Sequence, residues 1–234
     1  MQDELQRVMV IVAHPDDAEF TSAGTIARWA REGKDVVLVV CTDGSRGTND
    51  PKVTPEELTA IRHVETAEAA SVLGIKEVVN LGYEDGTLQP TLALRRDLTR
   101  VIRRYRPDIV ICSDPTRRYH GDGYISHPDH RAAGDAALDA VFPSAGTRYI
   151  FPELLAEGLE PHNVKELYLH GADAPNTWID ITDTIDLKIQ ALKKHASQVG
   201  DFEELDKWIR DWASENGQAQ GMAYAEAYKK MDLR

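Results

Sequence analysis

The stretch Val8-Met9-Val10-Ile11-Val12-Ala13-His14-Pro15-Asp16-Asp17 decides how the rest of the chain is read. Its first six residues are an unbroken apolar run rich in β-branched side chains. That pattern belongs to a short strand buried on both faces, not to one with a wetted face. The polar residues that follow lead straight into a helical stretch, from about Ala18 to Glu32, which Gly33 closes as a C-cap. A strand buried on both faces and followed at once by a helix is half of a parallel crossover unit.

Working outward, the same alternation repeats. Val36 to Cys41 predicts a second buried strand, and Thr42 to Asp50 is a loop rich in Gly, Asp, Asn and Ser. Thr54, Pro55 and Glu57 spell a capping box with proline at the first helical position, so a helix runs from there to Leu73 and ends at Gly74. Glu77 to Leu81 is a third strand, Leu92 to Tyr105 a helix stopped by Pro107, and Asp108 to Cys112 a fourth strand. A long loop, Ser113 to Pro128, precedes a helix from about Asp129 to Val141. Leu167 to His170 and Trp178 to Ile181 read as strands and Asp183 to Gln198 as a helix. The charged tail beyond Phe202, with Trp208 and Trp212 four residues apart, reads as helix-prone. The expectation is an α/β, Rossmann-like three-layer fold with a mostly parallel central sheet, in a single domain spanning residues 1–234.

Composition narrows the function classes. A net charge of −12 argues against nucleic-acid or anionic-membrane surfaces, which need basic patches. Cys41 and Cys112 both follow apolar runs and read as buried free thiols. The segment from Met1 to Arg7 carries acids and no apolar core, so it does not read as a signal peptide. No apolar run approaches the roughly 20 residues of a membrane span, and the location expected is cytoplasmic.

In an open parallel sheet, ligands bind beyond the carboxyl ends of the strands. At the first strand exit a nucleotide-binding protein would carry a glycine-rich loop. This chain has His14, Asp16 and Asp17 instead, at a helix N-terminus that favours ionised carboxylates. Either aspartate could simply cap the helix, but a histidine with two adjacent carboxylates reads better as one metal ligand and one group facing substrate. The second cluster is His127-Pro128-Asp129-His130, with His130 on the small apolar face of Ala133, Gly134, Ala137 and Val141. Catalytic zinc takes three protein ligands and leaves a position open, and His14, Asp17 and His130 supply such a set. Asp16 is then left as general base, His127 as oxyanion stabiliser or proton donor to the leaving amine, and Asp129 as a carboxylate that orients an imidazole.

In the helix after Thr54, Arg62 and Glu65 fall within an apolar stripe of Leu58, Ile61, Ala69 and Val72. They read either as a mutual ion pair or as Glu65 anchoring an Arg62 that reaches into the site. Arg46, Tyr83, Asp85, Arg117, Arg118, Tyr119 and His120 lie on loops at the same end, and Arg46 and Tyr119 are taken as substrate contacts. His170 reads as incidental, His195 as a partner of a helix C-terminus, and Trp208 and Trp212 as packing.

At these motifs the chain resembles the LmbE-like, or PIG-L, family of zinc N-deacetylases. The resemblance spans about Val8 to Gln198 and includes the His14–Asp17 and His127–His130 motifs, Thr42-Asp43-Gly44, Arg62 with Glu65, Asp85-Gly86 and His195 with Ser197-Gln198. It implies zinc held by His14, Asp17 and His130, with Asp16 as general base. It further implies that His127 and Arg62 stabilise the tetrahedral intermediate and that Asp129 tunes His127. The implied substrate is a small N-acetylglucosamine-type conjugate, and the implied assembly a homo-oligomer, trimer or hexamer. The competing readings are an amidase for a larger acyl or thiol-conjugate amide, a metallophosphoesterase, and a non-catalytic metal- or sugar-binding module; iron(II) could occupy the same ligand set.

Overall fold

The structure is a computed structural model that describes residues 6–233, the side chain of His120 excepted, so the segment read against a signal peptide falls largely outside it. The first strand, β1 (Arg7–Val12), pairs in parallel with β2 (Asp35–Thr42) on one side and β4 (Ile109–Ser113) on the other. β3 (Glu77–Tyr83) flanks β2, and β7 (Glu166–His170) flanks β4, both in parallel. The large sheet runs β3-β2-β1-β4-β7-β9-β8, where β8 is Thr177–Asp180 and β9 is Ala225–Asp232. β5 (Tyr119–His120) and β6 (Tyr124–Ile125) form a separate hairpin within the loop after β4.

Strand β1 is buried on both faces, as its unbroken apolar run predicts. Met9 and Ile11 pack toward α4 (Leu92–Tyr105) and α5 (Pro128–Asp139), with Leu94, Leu98, Ile102, Ala133 and Ala137. Val8, Val10 and Val12 pack toward α2 (Ala23–Arg31) and α3 (Pro55–Leu73), with Ile26, Ala69 and Leu73. Cys41 and Cys112 are buried and free. No helix is long and apolar enough to cross a membrane among the described residues. The chain progresses outward from β1 through β2 to β3 and then returns to the other side of β1 with β4. The carboxyl ends of β1 and β4 are therefore the switch point where such sheets bind ligands; β1 leads directly into the first histidine motif, and β4 reaches the second through the loop that carries β5 and β6.

Four elements differ from the expectation. The helix from Ala18 to Glu32 is two helices, α1 (Asp17–Thr21) and α2, broken at Ser22. The break lets the carboxylate of Glu226 accept from the backbone N–H groups of Gly24 (3.0 Å) and Thr25 (2.8 Å). The helix after Asp129 ends at Asp139 and passes into a π-helical turn, Ala140–Ala145, beyond which α6 is a single turn (Glu153–Ala156). The stretch Asp183 to Gln198 splits into α7 (Ile185–Leu192) and α8 (Ala196–Val199), with His195 between them. The tail is α9 (Leu205–Gln218) followed by β9, which lies antiparallel to both β7 and β8. Its charged ends hide the strand in the sequence, and only pairing on both sides makes it one.

Candidate active site

His14 leaves β1 and stands between two groups of partners. Its Nδ1 lies 3.1 Å from His130 Nε2 and 3.5 Å from Asp17 Oδ2, while His130 Nε2 lies 3.0 Å from Asp17 Oδ1. Its Nε2 faces Asp85 Oδ1 at 3.1 Å and Asp129 Oδ2 at 3.3 Å. Asp17 also accepts from the His14 backbone N–H at 2.8 Å, which closes the tight turn and aims both side chains the same way. Asp16, at the N-cap position of α1, makes no side-chain capping bond. It points instead to Arg62, with Oδ1 3.1 Å from Nη2. The two aspartates thus diverge, and capping accounts for neither.

Arg62 is held further by the carbonyl of Gly44, to which Nη1 donates at 3.1 Å. A Cβ on Gly47 would meet Arg62 Nη1 at 2.8 Å and Gln198 Oε1 at 2.7 Å, so only glycine lets them approach. Glu65 does not anchor Arg62, nor does it pair with it. Its carboxylate accepts from the backbone N–H and the hydroxyl of Ser197, both at 2.7 Å, and ties α3 to α8. Ile61, expected on the inward stripe, is exposed.

His127 is the N-cap of α5 and its Nδ1 accepts from the Asp129 backbone N–H at 3.2 Å. The proton of the neutral ring therefore sits on Nε2, an assignment that follows from the bonding. Asp129 has no exposed surface. Its carboxylate accepts from the N–H groups of Gly86 (2.7 Å) and Leu88 (3.2 Å) and meets His14, whereas His127 Nδ1 is 4.0 Å away. The imidazole that Asp129 orients is that of His14; it touches His127 through its backbone. His130 reaches the site because Ala133, Ala137 and Val141 on its face are buried against the sheet.

Two further expectations change. Arg46 lines the cavity rim, yet its guanidinium pairs with Glu84 and its N–H donates to Asp85 Oδ2 at 3.0 Å. Tyr119 is 69% exposed and does not line the cavity; Tyr124, across the hairpin, does. In the sequence Asp85 stands among the loop residues at the site end and in the Asp85-Gly86 motif of the family resemblance, without a role; its place at the β3 exit is the signal for one. His195 is not a partner of a helix end. It is fully buried with Nε2 3.4 Å from Glu19 Oε2. His170, at the β7 exit, and both tryptophans line the cavity as well.

The electrostatics follow from this crowding. Burial disfavours the His14 imidazolium, but Asp17, Asp129 and Asp85 outweigh it and push its pKa up to about 12. Burial likewise opposes ionisation of Asp17, yet His130 and His14 hold its carboxyl well below the usual range. Asp85 is drawn down to about 2 against burial, chiefly by His14. Burial, aided by the neighbouring His14, lowers His127 and favours its neutral ring.

The donor atoms fit a metal. Tetrahedral bonds of about 2.0–2.1 Å place ligands about 3.3 Å apart; His14 Nδ1 and His130 Nε2 are 3.1 Å apart, and the Asp17 carboxylate meets them through different oxygens, Oδ2 at 3.5 Å and Oδ1 at 3.0 Å. Two other groupings have donor atoms close enough to share an ion, His14 with His127 and His130, and His14 with Asp85 and Asp129. The second is the weaker candidate. Asp129 does not line the cavity, and its carboxylate and that of Asp85 already accept backbone N–H groups.

The family model PIG-L, described as GlcNAc-PI de-N-acetylase, matches residues 9–141. The chain belongs to the PIG-L family. Diacetylchitobiose deacetylase of Thermococcus kodakarensis is 34% identical over 97% of this chain and 84% of its own. Mycothiol S-conjugate amidase of Streptomyces coelicolor is 31% identical over 91% of this chain and 73% of its own. The structure of N,N'-diacetylchitobiose deacetylase from Pyrococcus horikoshii superposes with a TM-score of 0.91 at 34% identity, covering 98% of this chain and 85% of that one. PIG-L relatives of this kind are enzymes that hydrolyse an amide C–N bond. The matched PIG-L segment contains every residue of the His14 cluster, together with Asp16, Arg62 and His127, and ends before α7, α8, α9 and β9.

Proposed function

We propose that the protein is a zinc-dependent N-deacetylase acting on an N-acetylglucosamine-type sugar. The observation that carries this reading is the His14–Asp17–His130 triangle opening on the cavity with Asp16 beside it. His14 Nδ1, one oxygen of Asp17 and His130 Nε2 would hold the ion. Asp85 and Asp129 on His14 Nε2 would fix its ring and raise its basicity, as outer carboxylates do for ligating histidines. Bound there, the ion supplies Lewis-acid polarisation and makes water acidic near neutral pH.

The chain's own groups do the rest. Asp16, oriented by Arg62, takes the proton of the water that attacks the amide carbonyl. His127 presents its Nε2–H to the oxyanion, and the Arg62 guanidinium adds positive charge nearby. The amine leaves with the proton returned from Asp16, and acetate and a free amino sugar result. The cavity of about 780 Å³ is within the range of small-molecule sites.

The test is acetate release from a panel of N-acetylglucosamine derivatives by zinc-loaded wild type and by Asp16→Asn. The panel spans free sugar, a disaccharide, a malate glycoside and an inositol glycoside. Wild type releases acetate; the variant loses about 10²–10⁴-fold in rate while still binding one zinc per chain. Equal rates from the two proteins would remove Asp16 from the chemistry. The likeness to a thiol-conjugate amidase keeps the larger-acyl reading in view, and a mycothiol-type conjugate in the same panel separates the two.

A further inference from the structure

The cavity does not end at the histidines; it reaches α9. Two stripes run along that helix. Leu205, Ile209, Ala213 and Gly217, each four residues apart, are buried, and the first three pack on Ile181, Ile185, Ile189 and Leu192. Trp208, Trp212 and Asn216 share the same spacing on the adjacent stripe and line the cavity. Trp208 is 44% and Trp212 37% exposed, with ring centroids 5.5 Å apart and planes tilted by 38°. Phe20 props Trp208 edge-on at 6.2 Å. Neither indole N–H has a hydrogen-bond partner among the described residues. Packing buries the first stripe; in the second, Trp208 also meets Phe202 at 6.1 Å and Lys188 Nζ lies 5.7 Å from the Trp212 ring centre, yet both indoles keep over a third of their surface open to the cavity side.

The charge around this end is balanced. Lys188 Nζ is bound to Glu226 at 2.6 Å and to the Phe20 carbonyl at 2.7 Å. Arg46, Arg62 and Arg117, the arginines lining the cavity, are paired with Glu84, Asp16 and Asp173. Among the described residues no lysine or arginine lining the cavity is left over to hold a phosphate or carboxylate on the far part of a substrate. Indole faces suit the flat C–H face of a pyranose, and the indole N–H groups and the Asn216 amide suit its hydroxyls. We propose that Trp208, Trp212 and Asn216 form a subsite for a second, neutral sugar ring attached to the N-acetylglucosamine unit at the His14 cluster. The inference rests on the deacetylase reading above.

The experiment compares acetate release from N-acetylglucosamine, its β-1,4-linked disaccharide and its malate glycoside by zinc-loaded wild type, Trp208→Ala, Trp208→Phe and Asn216→Ala. Tryptophan emission is titrated with the same sugars, and the mass in solution is measured for each protein. Wild type prefers the disaccharide. The disaccharide-to-monosaccharide ratio of kcat/KM falls about ten-fold in Trp208→Ala, the effect of losing one contact of modest strength. It falls mainly through KM, falls less in Asn216→Ala, and is largely kept in Trp208→Phe. The disaccharide shifts wild-type emission and the monosaccharide does not. An equal loss on both sugars, a preference for the malate glycoside, or a changed mass with an unchanged ratio would overturn the subsite. If no sugar releases acetate but the disaccharide still shifts emission, the deacetylase reading fails and the subsite stands. If neither occurs, both fail.

Discussion

The His14 ring has four close partner atoms, where a sequence reading supplies only the two on Asp17 and His130. The two extra ones, on Asp85 and Asp129, come from segments 71 and 115 residues away, and no local pattern links them to His14. With Asp17 they hold its proton. In the metal-free protein burial opposes the imidazolium, but Asp17 and its neighbours raise the pKa from 6.5 to about 12. A histidine raised in this way contributes stability that is whole below its unfolded value and is lost as pH rises toward the folded one. The melting temperature of the metal-free protein should therefore fall as pH rises from about 7 to 10. Zinc held as proposed would displace the same proton, so its affinity should rise with pH, about ten-fold per unit for each proton released. Calorimetric zinc titrations and melting curves across this range check both, with His14→Asn flattening the metal-free trend. A pH-independent zinc affinity would show that His14 is not protonated in the metal-free site.

Among the elements, α3 shows how much a local signal can say. The side chain of Thr54 accepts from Glu57, Glu57 bonds back to the Thr54 N–H, and Gly74 ends the helix in the left-handed region, all as spelled. What Glu65 does on that helix was not spelled, because its partner Ser197 is 132 residues away. The start of α2 is the opposite case. Its cap is Glu226, which also holds Lys188, and both side chains are buried. Glu226→Gln keeps the shape but leaves Lys188 without a counter-charge. Removing one partner of a buried pair costs about 3–5 kcal/mol, so denaturant unfolding should show a loss of that size. Adding Lys188→Met should recover most of it. A double variant no better than the single one would mean that the cap, not the ion pair, carries the stability.

For the whole molecule, the decisive feature is the last strand. β9 sits between β7 and β8 and pairs with both. It also delivers Glu226 to α2 and sets Tyr228 edge-on to Tyr168 at 5.7 Å. A chain ending at residue 224 would expose the unpaired edges of β7 and β8, a template for aggregation. Such a truncation should be insoluble or, if recovered, lack a cooperative melting transition. A soluble, cooperatively melting product would mean that β9 is dispensable to the fold.

The sequence by itself determined the parallel half of the sheet, the capping of α3, and the presence of His14, Asp16, Asp17, His127 and His130 at strand exits. Those features are written in contiguous residues, as apolar runs of period-free burial, cap spacings and short polar motifs. The tertiary structure alone decided where β9 lies, why the first helix breaks at Ser22, which imidazole Asp129 orients, and that Asp16 turns to Arg62 and Glu65 to Ser197. It also decided that Trp208 and Trp212 face the cavity instead of the core. Each of these depends on a partner far away in the chain, and whether a polar or aromatic side chain packs, pairs or waits for a ligand is settled only by what folding brings against it.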